Sequence, residues 1–261
     1  MEPFRYEGRW ALVTGASSGI GEAFARALAA RGMHLLLAAR NEGRLEALAA
    51  ELAAAYGVQA IAMPADLAAE GGAAALWARA SAGRAIELVV NDAGFGLQGA
   101  FDELPAERQL EMVRVNDLAL LELCLRALPP MRARGGGGVI NVSSVVGFVA
   151  VPGFATYAAS KAFVLSLSES LWEEQRHHGV RVLALCPGSV PTGFQQVAGS
   201  KVAGPGARTP AQVVEAALHG LDAGLPVVVP GLPNRLAAGA PRLLPRSWLP
   251  RAAGFFRRRL Q

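Results

Sequence analysis

The sequence predicts a doubly wound α/β fold: a parallel sheet with helices on both faces, three layers in all. Three observations carry that prediction. Short β-branched or Leu-rich runs alternate with longer helix-forming runs along the chain, the pattern of parallel strands joined by crossover helices. A glycine-rich turn, Thr14-Gly-Ala-Ser-Ser-Gly-Ile-Gly21, closes the first apolar run and opens the first helical one. A chain of 261 residues with 52% hydrophobic content can bury one large core, so a single domain suffices.

Strands are expected near 11–13, 34–38, 59–63, 88–91, 139–142, 180–186 and 226–229. Helices are expected near 19–30, 42–56, 71–82, 106–133, 155–175 and 210–223. The run Gly135 to Gly138 reads as a loop between the fourth helix and the fifth strand. No internal repeat and no long linker divides residues 1–230, and residues 231–261 form a Pro-rich basic extension. No apolar run approaches eighteen residues, so no membrane-spanning helix is expected.

The chemistry concentrates in four segments. Tyr157 and Lys161 stand four apart in the helical run ATYAASKAFVLSLSESLWEE, so both leave one helix face. An ammonium beside a phenol favours the phenolate and is expected to lower the Tyr157 pKa, making a general acid usable near neutral pH. Ser144 ends the strand Val139-Ile-Asn-Val-Ser-Ser144, thirteen residues before Tyr157. Strand ends are where ligands gather in such sheets, so Ser144 and Tyr157 can converge on one oxygen atom; Ser143 is the better candidate for capping the turn that follows. A glycine-rich turn at a helix start lets backbone N–H groups approach a pyrophosphate, although the glycine spacing here, Gly15, Gly19 and Gly21, departs from the commoner G-x-G-x-x-G. Asn91-Asp-Ala-Gly94 ends the strand before a loop beside that turn.

Together TGASSGIG, NDAG, Val115-Asn116, the Ser144–Tyr157–Lys161 spacing and Pro187-Gly-Ser-Val-Pro-Thr192 resemble the short-chain dehydrogenase/reductase family, in its order and over about residues 10–230. The resemblance implies a Rossmann-type fold and hydride transfer between a nicotinamide cofactor and a carbonyl or alcohol carbon. It implies that Tyr157 is the proton donor or acceptor, that Ser144 binds the same oxygen, and that Lys161 also binds the nicotinamide ribose. Asn116 resembles the Asn that holds a water in the proton relay. Cofactor contacts are then expected from Gly15, Ser17, Ser18, Gly19, Ile20 and Gly21, from Asp66 and Leu67, and from Asn91, Ala93 and Gly94. Pro187, Gly188, Val190 and Thr192 should line the nicotinamide side. Asp66 has a competing role as a helix N-cap. The family's usual Asn-Asn-Ala-Gly is Asn91-Asp92 here; this acid either weakens cofactor binding or is buried against Ser143 or a backbone N–H.

The second strand ends in Ala39-Arg40. An NAD site commonly places a carboxylate there for the ribose 2′-hydroxyl. None stands there in sequence, and a guanidinium can hold a 2′-phosphate, so NADP(H) is the expected cofactor and NAD the less favoured one. Phe95, Phe148, Val149, Phe154, Phe194 and Val197 are candidates for an apolar pocket suited to a hydrophobic ketone, aldehyde or secondary alcohol. No Arg or Lys is obviously placed for an anionic substrate, apart from Lys201 in the segment 200–209, which resembles the family's mobile substrate loop. No metal site is expected.

Of 25 basic residues only Lys161 and Lys201 are lysine, a bias towards Arg from which no nucleic-acid partner is inferred. Residues 231–261 hold seven Arg and no acid, against +4 for the whole chain. That pattern fits either a peripheral membrane contact or an arm packed over the pocket or a subunit interface. Cys124 and Cys186 read as small buried thiols of a reducing, cytoplasmic compartment, and the N-terminus lacks the apolar core of a signal peptide. The family implies a homodimer or homotetramer. A nucleotide-binding regulatory or scaffolding protein of the same fold is the alternative function.

Overall fold

Each apolar run divides its side chains between two faces, and that division builds the sheet. In the computed structural model, which describes residues 3–194, 198–199, 207–243, 245 and 248–251, the strands are β1 (Trp10–Thr14), β2 (His34–Ala39), β3 (Ala60–Pro64), β4 (Ile86–Asn91), β5 (Gly137–Val142), β6 (Val180–Leu185) and β7 (Val227–Val228). All pair in parallel, in the order β3-β2-β1-β4-β5-β6-β7. Alternate residues point to opposite faces of a strand. Ala11, Val13, Leu35, Leu37, Leu88 and Val90 enter one core, whereas Leu12, Leu36, Val89, Val139 and Val182 enter the other. Both faces are buried, as a parallel sheet requires.

The helices are α1 (Gly19–Ala29), α2 (Glu42–Tyr56), α3 (Gly72–Ser81), α4 (Ala106–Val113), α5 (Leu120–Ala133), α6 (Ala155–Arg176), α7 (Pro210–Asp222) and α8 (Leu232–Gly239). Their ends follow local chemistry. Asn41 caps α2 by accepting from the Arg44 N–H at 3.1 Å, and Thr209 with Gln212 forms a reciprocal capping box on α7. A π-helical turn, Arg114–Ala119, joins α4 to α5, so the predicted helix over 106–133 is continuous in direction but widened at Asn116. Helix α8, not predicted, packs with the 3₁₀ turn Val145–Phe148 that follows β5.

One expectation is corrected here. Gly137 and Gly138 belong to β5 and are buried, because the strand needs both to reach its pairing with Val180 and Arg181; only Gly135 and Gly136 are loop. Among the described residues, no helix is long and apolar enough to cross a membrane.

The sheet order reverses between β1 and β4, whose carboxyl ends lie level, Thr14 opposite Asn91 and Asn91 opposite Asn141. Reversal opens a crevice there for a ligand. Beneath it lies a buried polar network. Asn91 Nδ2 donates to Asn141 Oδ1 at 2.8 Å, and Asn141 Nδ2 donates to Ser168 Oγ at 3.0 Å. Truncating Asn141 strands the Asn91 amide without solvent. Asn141→Ala is therefore expected to destabilise the fold by about 2–4 kcal/mol, read as a lower urea midpoint at unchanged slope.

Candidate active site

Every sequence motif meets at one cleft of about 650 Å³ at the carboxyl ends of the strands. Its floor is the glycine turn. Gly19 has φ +63°, a left-handed conformation that favours glycine. A Cβ on Gly21 would stand 2.4 Å from the Gly15 carbonyl oxygen, so the turn closes on itself only without a side chain. The Ser18 side chain makes no capping hydrogen bond on α1. Gly19 and Ile20 line the cleft, which brings the N-terminal end of that helix, the positive end of its dipole, against it.

Thr14 ties this turn to the next loop. Its hydroxyl donates to the Val90 carbonyl at 3.2 Å and accepts from the N–H groups of Asp92 and Ala93, each at 3.1 Å. Ala93, Gly94 and Phe95 continue along the wall. At the far end Arg40 and Asn41 follow β2, with Asp66 and Leu67 beside them. Asp66 accepts from the Ala68 N–H at 2.9 Å; it forms a local turn rather than the N-cap of α3, which is Gly71.

Tyr157 and Lys161 leave one face of α6 into the cleft, opposite Ser144, Pro187, Gly188, Val190 and Thr192. The Lys161 ammonium lies 5.8 Å from the Tyr157 ring centroid and donates to the Val142 carbonyl at 2.8 Å. The expected lowering of the Tyr157 pKa is not what this environment produces. Burial pushes the phenol well above its ordinary value, the Ser144 hydroxyl beside it pulls the other way, and the Asp92 carboxylate adds to the rise. Burial also lowers Lys161, against the attraction of Asp92 and Asp117. In this form Tyr157 is a protonated phenol at neutral pH, ready to donate. Ser144, not Ser143, caps the following turn, accepting from the Val146 N–H at 3.3 Å, while Ser143 donates to the Lys161 carbonyl at 2.7 Å.

Four predicted residues stand behind the cleft rather than on its wall. Asn91 is spent on Asn141. Gly21 supports the turn by packing. Phe148 packs beside Leu165, Ala184 and Cys186. Asn116, buried in the π turn, accepts from the Phe95 N–H at 3.1 Å and donates to the Phe95 carbonyl at 3.0 Å and to Ser160 Oγ at 3.1 Å. Its side chain thereby shapes the loop that carries Phe95. Val149 is likewise off the wall, and Val197 and Lys201 lie outside the described residues.

Phe154 and Phe194 flank Tyr157, with ring centroids 6.0 and 5.4 Å from its own. Two charged residues on α4 were not foreseen. Arg108 lies 4.7 Å from the Phe95 ring centroid and pairs with Glu111. Glu111 in turn stands 3.5 Å from Arg40. The strand end carries no carboxylate of its own, but one from another segment stands beside Arg40, because the crossover from β4 returns α4 to the mouth of β2. Nothing local to residues 106–113 signals that approach.

The profile of the family described as short chain dehydrogenase matches residues 9–203. The chain belongs to that family. A short-chain dehydrogenase from Sphingobium yanoikuyae, solved in complex with NADPH, is 36% identical, with a TM-score of 0.83 over 90% of this chain and 94% of that one. The bulky-bulky ketone specific alcohol dehydrogenase from Comamonas testosteroni is 32% identical, with a TM-score of 0.78 over 90% and 93%. A very-long-chain 3-oxoacyl-CoA reductase of Pyrenophora tritici-repentis is 32% identical over 84% of this short-chain dehydrogenase, which spans 64% of that relative's length.

In this family member the glycine turn is open to a direct test. Gly21→Ala drives a methyl into the Gly15 carbonyl and the Asp92 carboxylate. A loss of about 1–3 kcal/mol in unfolding free energy is expected, measured by urea titration of the ligand-free protein.

Proposed function

We propose that the chain is an NADP(H)-dependent oxidoreductase acting on a carbonyl or alcohol carbon of a hydrophobic substrate. The observation that carries this reading is the placement of a protonated phenol, a hydroxyl and an ammonium at one end of a cleft whose other end offers a helix N-terminus and Arg40. The residues fit a dinucleotide: a glycine-rich turn for the diphosphate, Asp66 and Leu67 on the cleft wall for the adenine, and a guanidinium for a 2′-phosphate. A nicotinamide bound there would supply or accept the hydride.

The chain's own residues do the rest. Tyr157 gives its proton to the substrate oxygen during reduction and takes it back in the reverse direction. Ser144 donates to the same oxygen as charge develops on it. Lys161 would hold the ribose hydroxyls and stabilise the phenolate left behind. Phe95, Phe154 and Phe194 present an apolar surface beside the phenol, which favours a substrate with one carbonyl on a hydrophobic body. The NADPH complex and the ketone-specific dehydrogenase among its structural neighbours support the cofactor and the substrate class. Pairing into dimers is supported by the exposed Leu118, Leu125 and Phe163 on the π turn, α5 and α6.

The deciding experiment is fluorescence titration with NADPH and NADH, followed by NADPH oxidation against hydrophobic ketones and aldehydes. Tyr157→Phe is expected to cut turnover by about 10²–10⁴-fold while leaving NADPH binding intact; unchanged turnover would overturn the mechanism. Glu111→Gln releases Arg40 from its partner. It is expected to tighten NADPH binding several-fold, about the worth of an exposed ion pair, with NADH binding little changed.

A further inference from the structure

Asp92 occupies an unusual place. Its carboxylate turns under the glycine loop: Oδ2 is 3.0 Å from where a Cβ of Gly15 would stand and 2.8 Å from that of Gly21. It accepts a hydrogen bond from the Gly21 N–H, so it already holds one of the first-turn donors of α1. The other groups that act on it lie on α6, where Lys161 attracts it and Tyr157 feels its charge. The same ammonium is shared with Asp117 from the π turn and with the Cys186 thiol after β6. Asp117 Oδ1 is buried without a hydrogen-bond partner. Asp92, half-buried at the cleft, and the buried Asp117 thus compete for one buried ammonium, itself committed to the Val142 carbonyl.

We infer that Asp92 takes up a proton when a dinucleotide's diphosphate docks on α1, so that nucleotide affinity falls as pH rises. The inference rests on the cofactor reading above. A helix N-terminus that stabilises one anion is opposed by a second anion a few ångströms away. The bound diphosphate raises the proton affinity of Asp92, and by linkage the protonated protein binds the diphosphate more tightly. Burial has already pushed this carboxyl up to about 7 in the ligand-free chain, so the linkage falls within the ordinary working range of pH. The proton needs only to be drawn from solvent; no bond is made or broken elsewhere.

The test compares dissociation constants of NADPH and NADH for the full chain and for Asp92→Asn at pH 6.5 and 8.5. The ratio of wild-type to variant constants cancels titration of the nucleotide, and reports Asp92 together with any shift its removal causes in Asp117, Cys186 and Tyr157. That ratio is expected to rise roughly tenfold over the interval, up to the limit of one proton per site, with the variant binding more tightly at pH 8.5. Calorimetry of wild type at pH 8 in two buffers of different ionisation heat should show net proton uptake, which decides the matter even if the variant folds poorly. Nucleotide binding with a flat ratio, or with no proton uptake, overturns the inference and leaves the cofactor reading intact. Failure of both proteins to bind either nucleotide at either pH overturns the cofactor reading and the inference with it.

Discussion

The Thr14 hydroxyl is the joint on which the cleft depends. It sits at the last residue of β1, fully enclosed, and bonds to one carbonyl and two N–H groups of the neighbouring β4 and its loop. Parallel strands bond through their backbones along their length, but beyond their ends the chains diverge. At the point where strand order reverses, that divergence would open an unsupported crevice. A single hydroxyl with one donor and two acceptor sites closes it, using its full hydrogen-bonding capacity. The glycine turn and the Asp92–Phe95 loop are thereby held in fixed relation across the crevice.

Electrostatics in the crevice follow from enclosure more than from pairing. Lys161, Tyr157, Asp92 and Asp117 are all shifted towards their neutral forms by burial. The ammonium offsets part of the cost for both acids, whereas the phenol is opposed only by the Ser144 hydroxyl, which desolvation outweighs. A helical spacing of four residues places two groups on one face; it does not set how much water reaches them. The phenol is therefore held in its protonated form by burial, and burial pushes the carboxyl beneath the glycine loop up to about 7.

The mouth of the cleft has a different character. Arg40 and Arg108 are partly solvated and both pair with Glu111, so an anion entering there would compete with an existing carboxylate. Each such pair is weak in water, which makes the exchange inexpensive. Phe154 and Phe194 flank Tyr157, while the Phe95 ring lies against Arg108 of the charged mouth.

Strand and helix positions were legible in the sequence because their signals are local: apolar alternation and Gly and Pro punctuation. The Tyr157–Lys161 face and the glycine turn were legible for the same reason, each being contained within one or two turns of chain. Helix α8 was missed because its eight residues lie in the Pro-rich extension, with Pro233 in the first turn and Gly239 at the end, and pack through a distant turn. The inward rotation of Asn91 onto Asn141 was not readable either, since that pairing joins residues 50 apart. The meeting of Glu111 with Arg40 and the seat of Asp92 under Gly21 are likewise long-range approaches, set by the crossover path and the sheet register. The sequence by itself determined which groups the cleft contains. Tertiary structure alone decided which of them face solvent, which are paired and which way their protons lean, because burial and long-range distance belong to no single segment.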